Sequence, residues 1–204
     1  MPIGWDIVER ERHVVGEAPR IAPLEQHALS ASDIDVINEV RAGAGAGPVI
    51  DKAPEYMRMM IRHPRLFRTH MDMGTVLYQG ALPAVERELA ILRVAWLCGA
   101  PYEWGQHVGI ARRLGMSAET IERTRQGSAA EGWSAQERAI LAGVEELLEH
   151  KVLSDETWDV LAQSWDEEQL IEFPMMVGQY VATAYVQNTL RVRLEGCEEG
   201  LSRR

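Results

Sequence analysis

Cysteine is scarce in this chain of 204 residues, and acidic side chains outnumber basic ones. The two cysteines, Cys98 and Cys197, are too few for a disulfide scaffold, so we expect a reducing compartment and a cytoplasmic location. Lys and Arg number 21 against 31 Asp and Glu, which gives a net charge of −10. Because nucleic acids and anionic lipids attract basic surfaces, we expect neither as a partner.

The chain also lacks the usual signs of a secretory leader or a membrane span. Charged residues already occur between positions 6 and 12, where a leader would be apolar. The longest uncharged stretch, residues 173–190, is about long enough to cross a bilayer. It contains two glutamines, an asparagine and two threonines, so we interpret it as a buried helix at a core or at a subunit interface.

Three regions follow from the distribution of turn residues and apolar periods. Residues 1–50 are expected to form an N-terminal arm with one helix and a glycine-rich connector at 43–48. Residues 51–195 are expected to form one helical domain, and residues 196–204 a tail. No segment shows the alternating period of a strand, so the sequence predicts an all-α fold.

Proline and serine mark successive helix starts in the main domain. Pro64, Pro83 and Pro101 each precede an apolar helical period, which suits a proline in the first turn. Capping boxes are expected at Ser134 and Ser164, each followed by Glu three residues later. The second box would open the long C-terminal helix.

Three ionisable side chains are candidates for an acid–base site. Glu103 and His107 lie four residues apart on one expected helix, so they share a face. Glu88 lies on the preceding helix, and a short turn at 99–101 can fold the two helices together. One carboxylate can orient the imidazole while the other shuttles a proton. The same spacing also suits a solvated surface pair.

This stretch resembles the carboxymuconolactone decarboxylase and AhpD-like family. The resemblance covers about residues 54–190 and depends on these segments: Glu88, Arg93-Val94-Ala95-Trp96-Leu97, Tyr102-Glu103-Trp104, His107-Val108-Gly109-Ile110-Ala111-Arg112 and Gly178-Gln179-Tyr180. It implies an AhpD-like helical bundle with a central helix–turn–helix that carries the site. It also implies a homo-oligomer, a trimer or a hexamer.

The resemblance favours the decarboxylase branch of the family, which uses no metal and no organic cofactor. By this likeness His107 would be the central acid–base group, with Glu88 and Glu103 as its carboxylate partners. The substrate would be a small carboxylated lactone from aromatic-compound degradation. Arg93 lies inside the resembling run and would hold the substrate carboxylate, and an apolar wall is expected from Tyr102, Trp104 and Trp96.

The peroxidase branch carries a Cys-x-x-Cys-x-x-x-His motif, and this chain departs from it. Aligned on His107, the two cysteine positions hold Ala100 and Glu103. A thiol cycle needs an attacking and a resolving cysteine, so an AhpD-like alkylhydroperoxidase or thiol oxidoreductase is the weaker alternative. A related isomerase or hydrolase remains open, as does a non-catalytic oligomeric ligand-binding protein.

A metal site is not expected from the sequence. The three candidate ligands at 88, 103 and 107 lack an HExxH or ExxH pair and would need a further donor. His63 and His70 lie seven residues apart and offer imidazoles. We interpret both as ordinary surface or interface histidines.

Overall fold

The computed structural model describes residues 6–43, 47–195 and 200–202, and these ranges contain helices and no strand. The all-α prediction is confirmed. The helices are α1 (Ile7–Val15), α2 (Ala31–Gly43), α3 (Glu55–Met60), α4 (Pro64–Tyr78), α5 (Ala84–Leu97), α6 (Pro101–Arg113), α7 (Ala118–Thr124), α8 (Ala135–Glu149), α9 (Asp155–Leu161) and α10 (Glu167–Leu190).

The fold is built around α5, whose residues 87–96 are all buried. Such a helix has no solvent face, so α6, α8 and α10 surround it and form the larger apolar cluster. A smaller cluster joins α2, α3 and α4 around Ile37 and Phe67, both fully buried. The site described below lies where helices of the two clusters meet.

The turn between α5 and α6 is short and tightly bonded. Gly99 adopts φ +54°, and the amide of Ala100 donates to the carbonyl of Ala95 at 2.9 Å, which closes the end of α5. Pro101 then occupies the first turn of α6, where its missing N–H costs nothing. This turn folds the two helices into the central helix–turn–helix expected from the sequence.

One expected helix cap is found and another is displaced. Ser134 and Glu137 form the reciprocal capping box of α8. The box of α10 instead uses Asp166 and Gln169. Ser164 cannot serve because its amide donates to the carbonyl of Leu161 in the turn that ends α9.

The N-terminal region contains two α-helices, where the sequence analysis expected one. Asp6 caps α1 by accepting from the amide of Glu9, and Gly16 ends the helix at φ +59°. Arg10 ties α1 to the central turn by donating to the carbonyl oxygens of Cys98 and Gly99. Half of the glycine-rich connector, Cys197 and most of the tail lie outside the described residues, so the three-region division stays a prediction.

None of the described helices, including α10, is long and apolar enough to cross a membrane.

Candidate active site

His107 and Glu88 form a buried pair across α5 and α6. His107 Nδ1 donates to Glu88 Oε2 at 2.6 Å, and Arg87 Nε donates to Glu88 Oε1 at 3.3 Å. The Glu88 side chain is 0% exposed. Because Glu88 occupies Nδ1, Nε2 is the ring nitrogen left for a ligand. Tyr180 packs edge-on against the imidazole, with 5.0 Å between ring centroids, and restricts its rotation.

Glu103 lies one turn before His107 on α6 and is buried without a partner. Its residue exposure is 1%, and neither carboxyl oxygen has a hydrogen bond with any described group. Burial in this surrounding raises the pKa of Glu103 well above its ordinary value of 4.5. This shift favours the neutral, protonated form of the side chain. Buried polar atoms are rarely left without partners, so the arrangement points to a ligand or a proton-transfer role.

Glu103 and His107 open onto one cavity of about 320 Å³. Four tyrosines and two methionines give it a largely apolar wall, and most of the remaining lining side chains are polar. Its lining residues come from α2, α3, α4, α6 and α10 and from the residue before α3. They are Arg41, Pro54, Tyr56, Met57, His70, Met71, Gly74, Thr75, Tyr78, Tyr102, Glu103, Gln106, His107, Ile110, Arg113, Gln179, Tyr180, Thr183 and Gln187.

Comparisons with known proteins agree with this fold. Residues 64–146 match the sequence profile of the carboxymuconolactone decarboxylase family. An AhpD-core protein from Ralstonia eutropha JMP134, described as an uncharacterized peroxidase-related protein, superposes with a TM-score of 0.72, covering 88% of this chain and 94% of that one at 17% identity. Residues 64–146 therefore resemble the carboxymuconolactone decarboxylase family, and the fold is AhpD-like.

Two further proteins are similar to this chain in sequence or in fold. The uncharacterized protein YdfG of Bacillus subtilis (strain 168) is 27% identical over 133 residues, which is 62% of this chain and 81% of that protein. The debrominase Bmp8, solved as a cysteine-to-alanine variant with 2,3,4-tribromopyrrole, superposes with a TM-score of 0.71 at 16% identity, covering 88% of this chain and 94% of that one. At such identities the structural likeness shows the fold alone.

Arg93 does not line this cavity, contrary to the expectation from sequence. Its Nε donates to Glu145 Oε1 at 2.9 Å, and its Nη1 donates to the carbonyls of Thr124 and Arg125. All of these partners lie on the far side of α5, toward α7 and α8. Arg93 therefore stabilises the packing of α5 against α7 and α8. The expectation that it holds a substrate carboxylate is wrong in this geometry.

The three aromatic residues expected at the site divide between the cavity and the core. Trp96 and Trp104 pack against each other in the larger cluster with 5.4 Å between ring centroids, and neither lines the cavity. Arg125 lies over the Trp96 ring at 4.2 Å. Tyr102 does line the cavity, and its hydroxyl donates to Glu195 at 3.2 Å.

The wall made by α3, α4 and α10 contains a polar cluster that the sequence analysis missed. His70 was interpreted as a surface or interface histidine, yet it lines the cavity. Its ring contacts Tyr56, Gln179 and Thr183 within 3.3 Å. These residues come from three helices far apart in sequence, so no local spacing indicates them. The one sequence feature that could have indicated this cluster was Gln179, which lies in a segment that resembles the family.

Cys98 faces a different surface from the acid–base pair. It lines a second cleft of about 580 Å³ beside α1, together with Arg10, and is absent from the His107 cavity. Burial raises the pKa of the Cys98 thiol to about 12, so the thiolate that attacks peroxides is disfavoured. Within the described ranges no three His, Cys, Asp or Glu side chains converge as a metal-binding group.

Proposed function

We propose that this protein is a cofactor-independent acid–base enzyme that decarboxylates a small carboxylated lactone. The observation that carries the proposal is Glu103, a buried neutral acid without a partner, in one cavity with an imidazole held by Glu88. Decarboxylation at neutral pH needs a proton donor beside a carbanion and a site that excludes water. Glu103 and His107 meet both requirements.

In the proposed reaction the bond between the carboxylate and the ring carbon breaks and carbon dioxide leaves. The electron pair enters the conjugated system as an extended enolate. His107 in its protonated form delivers one proton to the carbon, and Glu88 balances the charge of the imidazolium. Glu103 returns a proton to His107 and then takes one from solvent. Because Glu103 starts neutral, it does not repel the anionic substrate.

Two arginines at the cavity replace Arg93 as candidates for holding the substrate carboxylate. Arg113 lies at the end of α6, is exposed and lines the cavity. Arg41 lines it from α2, and its Nε donates to the carbonyl of Gly47. A guanidinium binds a carboxylate through two parallel hydrogen bonds, so an anionic substrate would place its second charged end here.

The thiol alternative has less support from this geometry. Cys98 is half-buried, its raised pKa keeps the thiol protonated, and it lies on a separate cleft from His107. An isomerase that moves a proton through an enolate would use the same groups as the decarboxylase. Carbon dioxide release distinguishes the two reactions, because only decarboxylation produces it.

The proposed function is tested by supplying 4-carboxymuconolactone and related carboxylated lactones to the purified protein. Loss of lactone and release of carbon dioxide are followed for the wild type and for His107→Ala. We expect turnover in the wild type and none in the variant. Lactone loss without carbon dioxide would favour the isomerase or hydrolase. Tight binding without turnover, unchanged in His107→Gln, would favour a ligand-binding protein.

We also propose that the exposed apolar face of α10 is the contact of a homo-oligomer. Ile171, Met175 and Tyr185 are 68%, 50% and 65% exposed and lie on one side of this helix. A monomer would leave this stripe in water. Met175→Arg is expected to dissociate the oligomer in light scattering, while Asp159→Arg at an exposed position of α9 leaves it intact. A wild-type monomer contradicts the proposal.

A further inference from the structure

The hydrogen bonds around His70 fix where its proton lies. The side-chain nitrogen of Gln179 donates to the backbone carbonyl of His70 at 2.9 Å. The same nitrogen lies 3.0 Å from His70 Nδ1. An amide nitrogen donates and does not accept, so Nδ1 must accept. The reverse amide orientation would place two carbonyl oxygens against each other. His70 is therefore neutral and carries its proton on Nε2.

This tautomer decides the direction of the next hydrogen bonds. His70 Nε2 lies 3.1 Å from the Tyr56 hydroxyl and 3.3 Å from the Thr183 hydroxyl. Thr183 gives its own hydrogen to the carbonyl of Gln179 at 2.8 Å, so its oxygen accepts. Tyr56 must likewise accept from Nε2–H. Its phenolic hydrogen is then unused, and no acceptor for it occurs among the residues that the structure describes.

The surroundings keep that hydrogen on Tyr56. Burial, and to a lesser degree Glu103, raises the pKa of the Tyr56 hydroxyl, and burial lowers the pKa of His70. Both shifts maintain a neutral imidazole and a neutral phenol. Tyr56 is 6% exposed and lines the cavity that contains His107 and Glu103. Its free hydrogen can reach only the cavity.

We propose that Tyr56 donates a hydrogen bond to the oxygen on which the substrate develops negative charge, and that His70 and Gln179 are positioning residues that hold it in the donating orientation. The inference rests on the proposed acid–base function and names the substrate class more closely. The ligand must carry a carbonyl conjugated to the reacting carbon, so that its enolate oxygen faces α3. A preoriented donor at that point stabilises the enolate more than the neutral carbonyl.

The test uses tetronic acid, a small lactone that is an enolate at neutral pH, and 2(5H)-furanone, the parent lactone without the enolate oxygen. Binding is measured by calorimetry, and every variant is checked by thermal unfolding. Tyr56→Phe is expected to weaken tetronate binding about tenfold or more, since hydrogen bonds to charged groups are the strong ones. Furanone binding should stay unchanged. Trp158→Phe, at an exposed position of α9 outside the cavity, is the control.

The positioning role is tested by two replacements of His70. His70→Gln keeps a donor near the place of Nε2 and should keep most of the tetronate affinity. His70→Asn keeps polar groups near the place of Nδ1 but has no donor near the place of Nε2. It should therefore lose tetronate affinity to the same degree as Tyr56→Phe. Equal losses in both variants contradict the positioning role. Ring ¹⁵N shifts of His70 should report a neutral Nε2–H tautomer that disappears in Gln179→Leu. The Nδ1–H or charged form contradicts the network.

These measurements do not need turnover, so the two proposals can fail separately. If no lactone is decarboxylated but Tyr56→Phe selectively loses tetronate binding, Tyr56 is the hydrogen-bond donor and the proposed decarboxylation is wrong. If the wild type does not bind tetronate, or if Tyr56→Phe binds it equally well, the donor role of Tyr56 is wrong whatever the reaction.

Discussion

Two buried ionisable side chains, Arg93 on α5 and Glu103 on α6, differ in how their polar atoms are satisfied. Arg93 is bound by Glu145 on one side and by the carbonyls of Thr124 and Arg125 on the other. Glu103 has no hydrogen-bond partner for either oxygen among the described residues. The protein itself supplies the hydrogen-bond partners of Arg93, whereas Glu103 lacks partners that a ligand can provide.

This difference separates a scaffold role from a chemical role. A satisfied buried charge stabilises one packing arrangement, and removing its partner is costly. An unsatisfied carboxyl is itself costly and persists where function requires it. Sequence position does not distinguish the two, because Arg93 and Glu103 both lie in the stretch that resembles the family. The following substitutions test the distinction.

The largest effect is expected for His107→Gln. Glutamine keeps a hydrogen-bonding group but cannot exchange a proton, so turnover should fall about 10²–10⁴-fold. The unfolding midpoint should change much less, since Glu88 keeps a donor. The matched control is His150→Gln at the exposed end of α8. Full turnover in His107→Gln would refute the acid–base mechanism.

Arg93→Met should show the opposite pattern. The change leaves Glu145 without its counter-ion and two carbonyls without their donor, so the free energy of unfolding should fall by about 3 kcal/mol. The kcat and KM measured well below the unfolding temperature should be unaffected. Adding Glu145→Gln should recover part of the loss, because no unpaired charge remains. A large change in KM without loss of stability would instead indicate that Arg93 binds the substrate.

Glu103→Gln tests the neutral acid through the pH dependence of stability. The pKa of Glu103 is raised in the folded protein, so the folded state binds this proton more tightly than the unfolded chain. Its contribution to stability is fully present below about pH 4.5 and is lost as pH rises toward the folded value. The variant should therefore become more stable relative to wild type as pH rises from 4.5 to 8 in urea titrations.

A matched exposed variant, Glu167→Gln, should show no such divergence from wild type over the same pH range. If Glu103→Gln follows the wild-type stability in parallel at every pH, the carboxyl titrates normally in the folded protein. The neutral-acid assignment is then wrong.

The smallest effect is expected for Cys98→Ser. The thiol is half-buried, faces the cleft beside α1 and carries a raised pKa. Lactone turnover should be unchanged, and neither protein should consume peroxide with a thiol reductant. If the wild type consumes peroxide and Cys98→Ser does not, the result would support the thiol oxidoreductase alternative.

The sequence predicted the parts of this site that short-range geometry determines. The spacing of Glu103 and His107, and the Gly99 turn that brings Glu88 beside them, depend on helix period and turn chemistry alone. The all-α fold follows from the same local signals. The start of α1 was missed although Asp6 and Gly16 offer a cap at each end, because its apolar period is short.

The remaining features depend on packing between elements that lie far apart in the chain. Tyr56, His70 and Gln179 meet only because α3, α4 and α10 pack together. Arg93 was placed wrongly for a related reason. A helix such as α5, buried on all sides, gives no apolar stripe to show which neighbour an inward residue faces.

The protonation state of Glu103 tests the central claim most directly. Infrared difference spectra of wild type against Glu103→Gln at pH 7 report the carboxyl as either a neutral acid or a carboxylate. We predict a neutral-acid C=O band that disappears in Glu103→Gln and persists in Arg93→Met. A carboxylate band alone would contradict the account, because an ionised Glu103 would repel an anionic substrate and hold no proton for His107.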